Sequence, residues 1–156
     1  MSKLGRYAAD RKKIVEFNAY DTSTLAKTIK ASECGTIFCM TAAGNDGNEG
    51  ATITLPSVSD AGAGWWCKFV LMNAIASDSD DNNDILIQDA AGDSSNMVVH
   101  LPADSGADGA GAANGASITF KEGAAAAGDV AEFVCTGSRW IVHVMCATVG
   151  SVTVQT

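Results

Sequence analysis

Two histidines, five cysteines and one acidic run are the residues of this chain best suited to chemistry. His100 and His143 each lie inside an apolar stretch, without a nearby nucleophile or orienting carboxylate of the kind that acid–base catalysis requires. We therefore interpret both as structural histidines of strands. The chain has no Gly-X-Ser-X-Gly, Gly-Lys-Ser/Thr or His-Glu-X-X-His pattern. The sequence predicts a protein that is not an enzyme.

The cysteines are scattered through apolar stretches, with no Cys-X-X-Cys pair among them. They are Cys34, Cys39, Cys67, Cys135 and Cys146. Zinc sites use closely spaced ligands, so this spacing favours free thiols that pack as small buried side chains. A disulfide or two in an extracellular particle is the alternative. From these residues we expect no metal and no cofactor.

The run from Asp78 to Asp84 is the one candidate for a cation. Its carboxylates lie at alternate positions, and Asp89 falls where a twelve-residue calcium loop places its last ligand. The sixth position, however, is Asn83 rather than glycine, and the flanking segments are strand-like rather than helical. We favour a polar loop between two strands, and whether a metal binds at Asp78–Asp84 stays open.

Short strands are the elements that must position these residues. From residue 34 onward, apolar stretches alternate with turn residues, and no helical crossover separates them. The predicted strands are Gly35–Ala42, Ala51–Leu55, Trp65–Met72, Ile85–Gln88, Met97–Leu101, Ser117–Phe120, Val130–Cys135, Trp140–Cys146 and Ser151–Val154. The pattern predicts an all-β protein, an antiparallel β-sandwich with jelly-roll-like topology.

The clearest local unit is a hairpin over Asp129–Cys146 with Gly137 in its turn. Both faces of its strands are largely apolar, which predicts a central pair with one face in the core and the other against a neighbour. The consecutive Trp65 and Trp66 must point to opposite faces, so one is expected in the core and the other at an interface. The small-residue segment Ala103–Ala116 predicts a long surface loop.

Charge divides the chain near residue 30. Residues 1–30 carry seven basic and three acidic side chains (net +4), and the rest carry three basic and fifteen acidic ones (net −12), within −8 overall. A basic arm on an acidic body is typical of interaction tails, and the acidic body argues against nucleic acid as a partner. We predict an N-terminal arm over 1–30 and the sandwich over 31–156.

The sequence shows no export or membrane segment. Its first residues lack the apolar stretch of a signal peptide, and no later stretch reaches the roughly 20 apolar residues of a membrane span. We therefore expect no membrane partner and synthesis in a cytoplasm-like compartment.

Several segments together carry a resemblance to a known family. They are Ile53–Pro56, Gly62–Val70, Gly128–Val134 and Gly137–Trp140. In this order they resemble small β-rich structural proteins of tailed bacteriophages, especially head decoration (cement) proteins. The opening Leu4–Lys13 is similar to the start of such proteins in marine phages. The resemblance covers most of the chain, and similar modules also occur in phage fibres.

The resemblance implies a non-enzymatic β-sandwich, often trimeric, that sits on the outer capsid surface and clamps neighbouring coat subunits. The implied partners are the major capsid protein and further copies of the chain in a homotrimer. The implied location is the virion, after synthesis in the host cytoplasm. The expected capsid contacts are Arg6, Tyr7, Arg11, Lys12 and Lys13. Tyr7 would be an aromatic anchor and the basic side chains electrostatic partners.

Two other functions stay open at this point. A tail-fibre or receptor-binding module would use the same sandwich, although the chain has no internal repeat or heptad run of the kind fibre shafts carry. A sugar-binding sandwich would need an exposed aromatic platform, for which the outward member of Trp65 and Trp66 is the candidate.

Overall fold

A computed structural model describes residues 12–20, 26–42, 50–77, 83–90, 96–102 and 112–155. Within these ranges nearly all regular structure is β, with one short helix, α1 (Val58–Ala61), and one 3-10 turn, Ala31–Glu33. The strands are β1 (Lys13–Asn18), β2 (Ala26–Thr28), β3 (Thr36–Thr41), β4 (Ala51–Thr54), β5 (Trp66–Leu71), β6 (Ile85–Gln88), β7 (Met97–His100), β8 (Ala112–Gly115), β9 (Ser117–Phe120), β10 (Val130–Cys135), β11 (Trp140–Met145) and β12 (Val152–Gln155). No helix in these ranges is long and apolar enough to cross a membrane.

The strands form two sheets packed face to face, so the predicted all-β sandwich is confirmed. Sheet A has seven strands in the order β1-β3-β5-β10-β11-β7-β8, and sheet B has five in the order β12-β9-β6-β4-β2. The predicted hairpin is confirmed as the β10–β11 pair at the centre of sheet A. Its turn closes with a hydrogen bond from the Thr136 N–H to the Arg139 carbonyl, 2.9 Å long.

Strand pairing is mixed, so the antiparallel part of the prediction holds for only some neighbours. β1, β3 and β5 are parallel in sheet A, β2, β4 and β6 are parallel in sheet B, and β7 is parallel to β11. From β1 to β6 the chain alternates between the sheets. Each parallel connection therefore passes through a strand of the opposite sheet, which replaces the helix that such crossovers usually contain. The jelly-roll topology is not confirmed.

Alternation along the strands fills the space between the sheets. Sheet A contributes aromatic side chains, including the fully buried Phe38, Phe69 and Phe133. The rings of Phe38 and Phe69 stack with centroids 5.0 Å apart, and Phe133 meets Phe69 edge-on at 5.7 Å. Sheet B contributes mainly aliphatic side chains such as Ile53 and Ile87. Sheet A thus supplies most of the buried aromatic rings together with aliphatic side chains, and sheet B adds Phe120 to its aliphatic side chains.

The sandwich begins earlier than the charge distribution predicts. β1 is an edge strand of sheet A and β2 an edge strand of sheet B, although both lie in the segment predicted as an arm over residues 1–30. Charge marks the surface of these strands, whereas their backbones pair with β3 and β4. The boundary at residue 30 therefore has to be moved to Lys13. The N-terminal residues 1–11 lie outside the described ranges.

A second correction concerns the segment predicted as a loop over Ala103–Ala116. Its last residues form β8, which pairs with β7 at the other edge of sheet A. Gly115 ends this strand, and the backbone of β12 passes close to it. A β-carbon at this position would lie 2.9 Å from the Gln155 carbonyl oxygen and would overlap Val154. Small residues suit this position because two backbones meet there. Residues 103–111 lie outside the described ranges.

Candidate functional site

The outward side chains of sheet A form a broad, mostly apolar surface, which we call the outer face. Its apolar members are Ile14, Ile37, Cys39, Trp66, Val70, Val98, Val130, Val134, Ile141 and Met145. None of them is fully buried, and Ile14 and Met145 are 60% and 56% exposed. Antiparallel and mixed sheets of soluble proteins usually carry polar side chains on a solvated face, so this apolar face calls for an explanation.

The outward side of sheet B has the opposite character. Its outward positions hold mostly threonine, serine and glutamine, namely Thr28, Thr52, Thr54, Gln88, Thr153 and Gln155, together with Ser117 and Thr119 of β9, which are buried. Leu86 is the one large apolar side chain among the outward positions described there. The same molecule therefore has one outward face suited to water and one suited to burial.

Most charged and titratable side chains of the outer face lie in one row across the strands, and the exposed Glu16 of β1 lies outside it. Lys68 Nζ lies 3.0 Å from Glu132 Oε2, and both side chains are partly exposed. Next along the row, His143 lies directly across from Glu132 and is followed by His100. A partly exposed ion pair adds little to the stability of the fold. The main effect of this row is therefore on the charge that a partner of the outer face meets.

The two tryptophans point in opposite directions, as the sequence predicts. Trp65 is 4% exposed, packs edge-on against Trp140 at 5.3 Å, and donates a hydrogen bond from Nε1 to the Ala31 carbonyl at 2.7 Å. Trp66 is half-buried on the outer face, directly across from Val134. Trp65 is therefore a core residue, and Trp66 remains as the interface candidate.

The predicted capsid contacts fall partly within the described ranges. Lys12 and Lys13 are both exposed, and Lys13 begins β1 at the edge of sheet A, on the side of the strand that carries Val15 and Phe17 and not on the side of the outward Ile14. Arg6, Tyr7 and Arg11 lie outside those ranges. Both described lysines thus lie at the start of the edge strand β1, and their role as capsid contacts stays a prediction.

The histidines were predicted to lie in strands, and both do. They are exposed, however, and β7 and β11 bring His100 and His143 into register with ring centroids 5.0 Å apart. Sequence reasoning missed this pairing because the two strands are neighbours in space without being consecutive along the chain. The alternation of each strand does predict which face each histidine occupies, but no local signal reveals which strand lies beside it.

The end of the acidic run has a structural role. Asp84 accepts a hydrogen bond from the Glu122 N–H at 2.9 Å and pairs with the Lys121 ammonium. Asp89 is 1% exposed and accepts a hydrogen bond from Asn96 Nδ2 at 2.9 Å. The rest of the run, residues 78–82, lies outside the described ranges. Within them, no group of three or more histidine, cysteine, aspartate or glutamate side chains is arranged to hold a metal.

Tyr20 is hydrogen-bonded to the segment just before Asp84. Its hydroxyl donates a hydrogen bond to the Asn83 carbonyl, and the Asn83 N–H donates to Glu122 Oε2 at 3.0 Å. Burial, with smaller effects from Asp84 and Glu122, raises the pKa of Tyr20 well above its usual range. The phenol therefore stays protonated in the folded protein.

The cysteines are free, as the sequence favours, but they differ in exposure. Cys67 and Cys135 are buried, Cys39 and Cys146 are half-buried, and Cys34 is exposed. Burial, with a smaller contribution from Cys34, raises the pKa of the Cys67 thiol well above its ordinary value. The buried thiols therefore act as small core side chains.

No protein-family model matches this sequence, and no curated protein matches it either. The feature from which function can be argued is therefore the outer face itself. An apolar sheet face crossed by a row of charged and titratable side chains is able to bury apolar area against a partner of complementary shape.

Proposed function

We propose that the protein is a non-enzymatic virion structural protein that decorates and reinforces the outer surface of a phage capsid. In this proposal it bridges major capsid protein subunits as a homotrimer and docks through the outer face of sheet A. The observation that carries the proposal is the contrast between the two outward faces: the apolar Val134 and Ile141 pair across neighbouring strands of sheet A, whereas the polar Thr54 and Gln88 pair across neighbouring strands of sheet B. The resemblance to head decoration proteins supplies the partner.

Burial of the outer face would provide the main free energy of docking. Apolar surface removed from water contributes about 25 cal/mol per Å², although association costs offset part of this gain. A protein that binds the assembled lattice and not its separated subunits stabilises the lattice by mass action. The exposed Lys12 and Lys13 would add orientation and salt-dependent attraction to acidic patches on the shell.

The homotrimer rests on the resemblance and on the free edges of the sheets. Among the described strands β1 has a single neighbour, β3, and in this proposal a second subunit contacts its other side. A threefold assembly would cover such an edge in every subunit equally. Sedimentation of the purified chain tests this part of the proposal, with a trimer expected and a monomer contradicting it.

Docking is tested by imaging bare capsids of the cognate phage mixed with the purified chain. Val134→Lys places a charge in the middle of the outer face, and Leu86→Lys makes the matching change on sheet B. Both sites are half-exposed aliphatic positions in inner strands of their sheets. We expect regular density on heads with the wild type and with Leu86→Lys, and little or none with Val134→Lys. Circular dichroism verifies that both variants fold.

Two results would overturn the proposal. Equal head occupancy for Val134→Lys and Leu86→Lys would remove the outer face as the docking surface. Density on tails instead of heads, together with adhesion of the purified chain to host cells, would favour the tail-fibre or receptor-binding module.

A further inference from the structure

The two histidines of the chain face each other across neighbouring strands. β7 and β11 are parallel, and His100 is the partner of His143 in their register. Both side chains are exposed, their ring centroids lie 5.0 Å apart, and the angle between the ring planes is 15°. Two nearly parallel imidazoles that leave the sheet side by side present their ring nitrogens to the same volume of solvent.

We propose that His100 and His143 together bind a divalent transition-metal ion, with water in the remaining coordination positions. Imidazole nitrogens bind zinc at about 2.0–2.1 Å, so two nitrogens on one ion lie roughly 3 Å apart. Rings with centroids 5.0 Å apart reach this separation by rotation about their side-chain bonds, because each nitrogen lies at the rim of its ring. The paired strands fix the two ligands relative to each other, so little backbone movement is needed.

Neither imidazole is engaged elsewhere in the part of the chain that the structure describes. Apart from the stacking contact with each other, no hydrogen bond or ion pair between described residues involves either ring. Within the described ranges, no polar contact has to be broken for either ring to turn toward an ion. Exposure also lets the ion keep the waters that a site with only two protein ligands requires.

The neighbouring charge favours a cation at this place. On β10, the neighbour of β11 opposite to β7, Glu132 lies directly across from His143. The Glu132 carboxylate also forms an ion pair with the Lys68 ammonium at 3.0 Å. His143 thus lies between the carboxylate and the other imidazole, with the ammonium group one strand further away. The attraction is modest because the group is exposed. The affinity must come mainly from the two nitrogens.

Ligand chemistry defines the class of ion. Neutral imidazole suits copper, nickel and zinc, whereas calcium and magnesium prefer oxygen ligands. Affinities for such a site follow the usual order of divalent first-row metals, so copper(II) should bind most tightly and manganese(II) most weakly. The two histidines lie on the outer face, so docking through that face would cover the ion; the proposal therefore concerns the free folded chain, and its experiments use that chain without capsids.

The experiment uses the full chain without a histidine tag. Because the chain contains only two histidines, every imidazole nitrogen signal in a long-range proton–nitrogen spectrum comes from this pair. On titration with zinc chloride we expect the signals of both rings to change together and to saturate at one ion per chain. A response of one ring alone, or of neither, would overturn the proposal.

Calorimetry with nickel chloride then tests each ligand separately. Loss of a supporting residue around a metal typically costs about 10–100-fold in affinity, so His100→Asn and His143→Asn should each cost at least that much. Both positions are exposed, so the variants should melt like the wild type. Unchanged affinity in either variant would refute the site.

A thiol control excludes the alternative ligands. Cys34, Cys39 and Cys146 are the cysteines with some exposure, and their combined replacement by serine should leave nickel binding unchanged. Loss of binding in that variant would assign the metal to the thiols and contradict the proposal.

Discussion

Lys27 of β2 holds its ammonium nitrogen 4.9 Å from the centroid of the Phe17 ring of β1. Because β1 belongs to sheet A and β2 to sheet B, this contact links the two sheets at one edge of the sandwich. Phe17 in turn meets Phe38 of the core edge-on at 6.4 Å. A lysine that contributes to the positive charge of the N-terminal segment is thus part of the fold.

Two N-terminal deletions should therefore behave differently. Removal of residues 1–11 leaves both β1 and β2 in place, so we expect a melting temperature close to that of the wild type. Removal of residues 1–30 deletes both edge strands and uncovers Phe38 and Met40, so the melting temperature should fall by more than about 10 °C or the protein should aggregate. Thermal unfolding measures both, and equal melting temperatures would show that β1 and β2 contribute nothing to stability.

Basic residues before and at β1 are expected to act in docking through charge. The variant with Arg6, Arg11, Lys12 and Lys13 all replaced by alanine should bind capsids more weakly than the wild type at low ionic strength. The difference should shrink as salt rises and screens exposed charges, with a Debye length of about 8 Å at physiological salt. Arg139→Ala removes an exposed positive charge from the β10–β11 turn and is the control. Occupancy that is unchanged in the fourfold variant would exclude these residues as contacts.

Local pattern predicted much of the fold. Ile85–Gln88, Ser117–Phe120 and Val130–Cys135 are strands with the predicted bounds, because alternation and turn residues are encoded in neighbouring positions. β2 and β8 were missed, since Ala26–Thr28 is very short and Ala112–Gly115 carries only small or polar side chains. Such strands are held by backbone pairing with neighbours that the local sequence does not reveal.

The candidate site was only partly predictable for the same reason. The sequence indicated that the second face of the β10–β11 hairpin is apolar and that one of Trp65 and Trp66 points outward. It did not indicate that β7 lies beside β11, which brings His100 and His143 together. Strand order depends on contacts between distant segments, and the parallel crossovers here pass through the opposite sheet instead of leaving a helical signature.

Asp129 joins three segments at one end of the sandwich. Its side chain is 1% exposed, with Oδ1 accepting from the Ala147 N–H at 2.8 Å and Oδ2 from the Ala126 N–H at 3.0 Å and Ser151 Oγ at 3.1 Å. Asp129→Asn would place an amide N–H₂ against one of these donors. We expect a loss of about 1–3 kcal/mol in the free energy of unfolding.

Denaturant unfolding tests the role of Asp129 against two matched variants. Ser151→Ala removes one donor and should cost about 1 kcal/mol. Asp60→Asn makes the same chemical change at an exposed position near the start of α1 and should cost less than about 0.5 kcal/mol. A cost for Asp129→Asn no larger than that of Asp60→Asn would mean that the hydrogen bonds of this carboxylate do not stabilise the fold.

Tyr20 should make stability fall in alkaline solution. The unfolded phenol loses its proton near pH 10, whereas burial keeps the folded one protonated to higher pH. Above pH 10 the folded state therefore binds more protons than the unfolded state, and stability decreases as pH rises. The decrease due to this group is about 1.4 kcal/mol per pH unit while the folded phenol remains protonated. Below pH 10 the group contributes no slope.

Substitution of the two tyrosines separates this effect from other alkaline titrations. Tyr20→Phe should lose the hydrogen bond to the Asn83 carbonyl, costing about 1 kcal/mol at pH 7, and should have a shallower slope above pH 10. Tyr7→Phe should retain the full slope, and its remaining phenol should show tyrosinate absorbance only when the protein unfolds. Tyrosinate absorbance of folded Tyr7→Phe near pH 10 would contradict this protonation of Tyr20, because an ionised phenol cannot donate its hydrogen bond.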